Sequence, residues 1–149
     1  MKLLRPINVA FTALIQILIY WCVIVPTLTS FGVISTTPSW VILCAIVATA
    51  LICAGGYVIN DYFDVKIDRI NRPDKVIVTN TMSKAEAMRL YQIVTGVGIV
   101  CGLASAFYLR SITLGMIYVI VPGMLWFYSS SYKRQLIVGT LIVALSAAL

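Results

Sequence analysis

Residues 60–75 read NDYFDVKIDRINRPDK, and this stretch decides how the rest of the chain is interpreted. It contains four of the five acidic residues of the chain, interleaved with basic ones: Asp61, Asp64, Asp68 and Asp74. Between Pro6 and Asn60 there is no charged residue at all. A long charge-free run that ends on such a cluster predicts membrane-spanning segments with a polar site at the membrane surface.

The spacing of the acids places them on one side of a helix. If the helix that ends near Asn60 continues, Asp61, Asp64 and Asp68 fall on one face, and Asn60 lies one turn before Asp64. Adjacent carboxylates repel each other, and a divalent cation relieves that repulsion. Oxygen ligands from carboxylate and carboxamide suit Mg²⁺, which completes its shell with water and phosphate.

Two readings of the cluster follow. The interleaved Arg and Lys side chains can donate hydrogen bonds to phosphate oxygens, so the first is a site for Mg²⁺ and a diphosphate. The second is a juxtamembrane loop whose charges only keep it in water. A solvated loop gives no reason for its acids to align on one helical face, and the spacing therefore favours the site.

The composition is that of an integral membrane protein. Of the 149 residues 61% are hydrophobic, the mean hydropathy is +1.01, and 11% are charged, against about 25% in soluble domains. Histidine is absent, which excludes a His base, a His metal ligand and a Ser-His-Asp triad. The cysteines lie within apolar runs without C-x-x-C spacing and predict neither a disulfide frame nor a zinc site.

The apolar runs predict an all-α, polytopic transmembrane bundle formed by a single region, residues 1–149. The spans are expected at about 7–31, 40–60, 90–109, 112–130 and, cut off at the last residue, 136–149. Pro26 is expected to kink the first span, and Pro73 to end or bend the helix that carries the acids. Ser83 and Glu86 have the spacing of a capping box, so a helix should begin there.

Basic residues fall almost entirely on one side of this arrangement. If each span crosses the membrane, ten basic residues lie on the face that carries the N-terminus and the aspartate-rich loop, and only Arg110 lies on the other. The positive-inside rule places that richer face in the cytoplasm, and we expect a bacterial inner membrane. The net charge of +6 is explained by this orientation, and we expect no nucleic-acid partner.

Three cytoplasmic junctions carry motifs that together resemble the UbiA-type intramembrane prenyltransferase family. Residues 60–68 match its first aspartate-rich motif, N-D-x-x-D-x-x-x-D, and residues 71–75 resemble the tail of that motif. Residues 5–8 resemble the R-P-x-N opening of the first helix, and residues 128–134 resemble the Y-S-x-x-x-K-R junction after the fourth. The three motifs occur in the order found in the family and on the same side of the membrane. The resemblance therefore covers the whole chain.

The resemblance implies about nine helices, of which five are visible here, and transfer of a prenyl group from a prenyl diphosphate to an aromatic or lipid acceptor. It implies that Asn60 and Asp64 are Mg²⁺ ligands. The catalytic set that it implies consists of two supporting acids and two lysines: Asp61, Asp68, Lys75 and Lys133. The implied diphosphate or pocket contacts are Arg5, Asn8, Arg72, Tyr128 and Arg134.

One feature departs from that family. Its second aspartate motif, of D-x-x-x-D type, has no counterpart here, since no acid follows Glu86. We therefore expect these residues to be the N-terminal part of a longer prenyltransferase domain, inactive by themselves.

Two other functions remain open from the sequence. A CDP-alcohol phosphotransferase-like enzyme would need D-x-x-D-G followed by A-R, whereas Val65 follows Asp64. A non-catalytic transporter or assembly fragment would usually carry charges near the bilayer midplane, and these spans contain none.

Overall fold

The computed structural model describes residues 3–34, 36–71 and 76–131 of the chain. Helix α1 spans Pro6–Ile19 and continues through a π-helical turn, Tyr20–Ile24, into α2, Val25–Ser30. Helix α3 is Ser39–Asn71, α4 is Lys84–Tyr108 and α5 is Ile112–Ser130. The described residues form no strand, and the predicted all-α class is confirmed.

Within the described residues, four helical segments are long and apolar enough to cross a membrane: Pro6–Ser30, Ser39–Asn71, Lys84–Tyr108 and Ile112–Ser130. They correspond to the first four predicted spans. The fourth agrees with its predicted bounds, and the first begins and ends within a residue of them. The fifth predicted span, 136–149, lies outside the described residues.

The first span changes its winding just before Pro26. A proline has no N–H and its ring collides with the carbonyl group four residues earlier, which is that of Cys22. The structure has a π-helical turn over Tyr20–Ile24, and the amide of Val25 donates to the carbonyl oxygen of Tyr20. The wider turn absorbs the local mismatch that the proline creates, so the span continues to Ser30.

The helix that contains the second span does not end near Asn60. Helix α3 continues to Asn71, so the aspartate-rich segment is helical over residues 60–71, which is the condition on which the predicted alignment of the acids depended. No glycine or proline interrupts those positions, and their alternating acids and bases are compatible with a helix surface. The apolar part, 39–59, is long enough for the membrane by itself, so the extension projects beyond it.

Helix α4 begins where the capping box was predicted. The Ser83 hydroxyl accepts a hydrogen bond from the Glu86 amide at 3.2 Å, and the Glu86 carboxylate accepts one from the Ser83 amide at 2.8 Å. These reciprocal bonds satisfy two amides that a helix start leaves without intrahelical acceptors. The prediction is confirmed.

Helices α3 and α4 pack closely because small residues line their contact. Cβ atoms added at Gly55 and Gly98 would meet Thr95 of α4 and the carbonyl oxygen of Ala48, respectively. Gly56 faces Leu125 of α5, so the Gly55–Gly56 pair allows both helices to approach α3 closely. Not every small residue of α4 contributes to packing: Gly96 meets nothing within 4 Å, and Ala104 is exposed.

The loop 76–82 folds back onto the ends of the helices that lie beside the aspartate-rich segment. Its Val76 and Val78 are buried in one apolar cluster with Leu3, Val58, Val65 and Ala87. The loop thereby joins the N-terminal segment, α3 and α4 at the depth where the acidic residues begin.

We predict that Gly102→Ala destabilises the protein, because a Cβ atom there would collide with the Tyr118 ring of α5 close to its attachment point. Overpacking of this kind costs about 1–3 kcal/mol. Gly96→Ala is the matched control on the same helix: it adds a methyl group to open space and should stabilise by up to about 1 kcal/mol through helix propensity. Thermal unfolding in detergent measures both, and equal behaviour of the two variants would contradict the packing.

Candidate functional site

Helix α3 gathers four of the predicted site residues around one cavity. Asn60, Asp61, Asp64 and Asp68 line a cavity of about 250 Å³ together with Arg5, Val65 and the loop residues 76–78. The alignment of the acids on one helical face is therefore observed. The cavity lies at the C-terminal end of the apolar part of α3, with the loop on one side and α3 on the other.

Asn60 and Asp64 form the innermost polar pair. The Asn60 Nδ2 group donates a hydrogen bond to Asp64 Oδ2 at 3.1 Å, and Asp64 is only 8% exposed. This bond holds the Asn60 amide group beside the Asp64 carboxylate. Two neighbouring oxygen-bearing side chains fit Mg²⁺ in the mode in which protein supplies one or two ligands and water or phosphate the rest.

The described residues do not form a complete protein cage for a metal. Within them no three His, Cys, Asp or Glu side chains come close enough together to hold one. A cation at Asn60 and Asp64 would therefore need further ligands, and phosphate oxygens are the ligands that Mg²⁺ commonly adds.

Asp61 is held by the N-terminal segment. Arg5 Nη2 lies 3.2 Å from Asp61 Oδ1 in an ion pair whose side chains are 45% and 21% exposed. Burial raises the pKa of the Asp61 carboxyl, which lies beyond the apolar part of α3; the Arg5 charge opposes this rise, while Asp68 and Asp64 add to it. Among the described residues that line the cavity, three carboxylates therefore share one guanidinium group.

Arg5 reaches Asp61 because of the local backbone. It occupies the left-handed region, with φ 45° and ψ 61°, directly before Pro6, which starts α1. A positive φ is uncommon outside glycine, and here it turns the entering chain across the end of α3. The guanidinium carbon also lies 4.7 Å from the centre of the Tyr57 ring, one turn before Asp61.

Polar residues connect α1 and α3 in a regular series that we call the polar seam. Asn8 Nδ2 donates to the Tyr57 hydroxyl at 3.3 Å, and Thr12 Oγ1 lies 3.8 Å from Cys53 Sγ. With the Arg5–Asp61 pair, each step is about one turn along both antiparallel helices. Sequence reasoning missed Tyr57, Thr12 and Cys53, although a spacing of four between Asn8 and Thr12 within an apolar helix is a usable signal.

The remaining predicted residues divide into two groups. Asn8 is exposed and binds Tyr57 rather than the cavity, and Tyr128 at the end of α5 is half-buried and does not line the cavity. Both predicted pocket contacts therefore lie outside the observed cavity wall. The other four lie outside the described residues: Arg72, Lys75, Lys133 and Arg134.

The loop wall of the cavity was not predicted from the sequence. Arg69 Nη2 donates to Thr79 Oγ1 at 2.8 Å, and the Thr79 amide donates to the Met82 carbonyl oxygen at 2.7 Å. Thr79 has a φ of 86°, which is unfavourable for a β-branched residue, so these bonds hold a sharp turn. The sequence feature that could have indicated this wall is the pair of valines at 76 and 78 in a short linker, and both are buried in the structure.

Comparison with known proteins identifies relatives of this arrangement. Residues 20–149 match the sequence model of the UbiA prenyltransferase family. Two curated relatives, from Sulfurisphaera tokodaii and Metallosphaera sedula, are both named digeranylgeranylglyceryl phosphate synthase. The first is 35% identical over 108 residues, 72% of this chain and 37% of the relative; the second is 36% identical over 108 residues, 72% and 36%.

A solved structure described as concerning digeranylgeranylglyceryl phosphate synthase in membranes is also similar. It matches with a TM-score of 0.76 and 27% sequence identity, over 97% of this chain and 47% of that one. The chain spans little more than a third of the length of the two curated relatives.

We predict that Tyr57→Phe weakens the attachment of α1 to α3 by roughly 1 kcal/mol, because Asn8 loses its acceptor while the ring under Arg5 remains. A double-mutant cycle with Asn8→Ala, followed by unfolding in detergent, measures the coupling. Tyr108→Phe is the control, since that ring packs on Trp40 away from the seam. No coupling between Asn8 and Tyr57 would contradict the seam.

Proposed function

This chain belongs to the UbiA prenyltransferase family, and we propose that it forms the donor-binding part of an enzyme that transfers a prenyl group from a prenyl diphosphate to a lipid acceptor in the membrane. The observation that carries the proposal is the acidic cavity at the end of the apolar part of α3. Its walls bring together Asn60, three aspartates and Arg5.

We propose that Asn60 and Asp64 hold Mg²⁺ in this cavity. The two side chains are hydrogen-bonded to each other, Asp64 is nearly buried, and a diphosphate would supply the ligands that the protein does not. When bound, the metal neutralises charge that develops on the departing diphosphate. Asp68 lines the same cavity one turn beyond Asp64, and we assign it a supporting role.

The residues around the pair have distinct roles in this proposal. Asp61 orients Arg5, whose remaining guanidinium N–H groups are donors for diphosphate oxygens. The loop valines Val76 and Val78 shield one side of the cavity from water. Exclusion of water matters because cleavage of the bond between the allylic carbon and the diphosphate oxygen leaves a carbocation that water would capture before the acceptor does.

The acceptor that we propose is a prenylglyceryl phosphate lipid. The named relatives make digeranylgeranylglyceryl phosphate, and two of them are at least 35% identical to this chain. Such an acceptor is amphiphilic, so its phosphate can remain at the cytoplasmic surface while its chain lies among the helices. Failure to use this lipid while an aromatic acceptor is prenylated would exclude the glyceryl phosphate class without affecting the donor site.

We predict that Asn60→Ala or Asp64→Ala in the full-length enzyme lowers Mg²⁺-dependent prenyl transfer by about a hundredfold or more, because each removes an oxygen from the innermost pair. Release of diphosphate and formation of the prenylated lipid measure the effect. Asn80→Ala, in the exposed turn of the loop, is the matched amide control and should retain activity. If either site variant keeps most of its activity, the metal assignment is wrong.

We further predict that the acidic cavity faces the cytoplasm. In a variant without native cysteines, Asn80→Cys should react with a membrane-impermeant maleimide only after the membrane has been permeabilised. Ser111→Cys should react in intact cells. The two positions lie before and after α4, at opposite ends of one span. The reverse labelling pattern would overturn this orientation.

A further inference from the structure

A second cavity lies deeper in the apolar part of the bundle. It has a volume of about 290 Å³ and lies between α1, α3 and α5. Its polar lining residues are Gln16, Thr49 and Tyr118, and the rest of its wall is aliphatic, with Ile52 on α3 and three branched residues on α5. The proposed diphosphate chemistry uses none of these side chains.

One atom in this cavity lacks a hydrogen bond. Gln16 Oε1 is buried and has no hydrogen-bond partner within the described ranges. The other two polar residues are engaged: the Thr49 hydroxyl donates to the Ala45 carbonyl oxygen at 3.1 Å, and the Tyr118 hydroxyl donates to the same oxygen at 3.5 Å. A buried amide oxygen without a hydrogen-bond partner lowers the stability of the folded protein. The packing of the helices therefore does not explain why a glutamine occupies this position.

Gln16 and Thr49 continue the polar seam one step further into the membrane. The seam pairs Asn8 with Tyr57 and Thr12 with Cys53, and one more turn on each helix leads to Gln16 and Thr49. The second cavity therefore lies directly beneath the acidic cavity, along the same α1–α3 contact.

The distance between the two cavities is comparable to the length of an isoprenoid chain and is larger than a diphosphate group. Asn60 and Thr49 lie on the same side of α3, three turns and about 16 Å apart. Between them on this side is Gly56, whose missing side chain leaves room beside Leu125 of α5. A donor whose diphosphate is bound at Asn60 has to direct its chain away from the cytoplasm. The side of α3 that carries Gly56 leads from there to the second cavity, where Gln16 lies.

We propose that the second cavity receives the far end of the donor's prenyl chain and that Gln16, at its wall, limits the chain length that the enzyme accepts; this rests on the proposed prenyl transfer. Gln16 lines the second cavity, so an apolar chain that fills this cavity displaces water from beside the amide and offers it no hydrogen bond, which is unfavourable. A shorter chain leaves cavity volume beside Gln16 in which a water molecule can bind. Gln16 is therefore a specificity-determining residue and takes no part in the chemistry.

The test measures kcat/KM of the full-length enzyme for geranyl, farnesyl, geranylgeranyl and geranylfarnesyl diphosphate. Gln16→Leu and Gln16→Ala both remove the amide, and each should raise the ratio for the next longer donor over the preferred donor by about tenfold, equivalent to about 1.4 kcal/mol. Gln16→Asn keeps an amide and should stay nearer to the original ratio. Gln92→Leu makes the same change on an exposed position of α4 and should leave the ratio unaltered.

The possible results separate this inference from the proposed function. If the enzyme transfers prenyl groups but the ratio is the same in Gln16→Leu and Gln16→Ala as in the unmodified protein, Gln16 does not limit chain length. If Gln92→Leu shifts the ratio equally, the effect is not local and the inference also fails. If the unmodified enzyme uses none of the four donors, the proposed function itself is wrong.

Discussion

The structure depends on one constraint, which is that α3 continues as a helix after its apolar part has crossed the membrane. A break near residue 60 would leave the acids on a solvated loop with no fixed relation to one another. Because the helix runs on to Asn71, the spacing of Asn60, Asp64 and Asp68 becomes a fixed arrangement in space. The polar seam on one side and the loop 76–82 on the other hold this extension against the bundle.

The electrostatics of the extension explain why such a segment requires partners. Carboxylates on one face of a helix, near its negative end, repel each other and the helix dipole. The structure offsets part of this cost through the Arg5–Asp61 ion pair and the Asn60–Asp64 hydrogen bond. The remaining carboxylate charge is what a divalent cation would neutralise, and the proposed function gives that charge a purpose.

Much of this was predictable because it follows from local chemistry. Apolar runs gave the spans, a capping box gave the start of α4, and residue spacing gave the shared face of the acids. The helix of the second span continues beyond its apolar part because nothing in residues 60–71 breaks a helix. Tyr57, Thr79 and the valines of the loop were missed because their roles depend on contacts distant in sequence, which no local pattern encodes. Asn8 and Tyr128 were assigned to the cavity by resemblance, and the structure places neither in its wall.

The central claim is that Asn60 and Asp64 bind a divalent cation together with a diphosphate. Its most direct test is anomalous diffraction from the full-length enzyme with Mn²⁺ in place of Mg²⁺ and a non-cleavable prenyl thiodiphosphate. We predict an anomalous peak within coordination distance of the Asn60 amide oxygen, the Asp64 carboxylate and the diphosphate oxygens. A bound diphosphate with Mn²⁺ located elsewhere, and no peak near these two side chains, would contradict it.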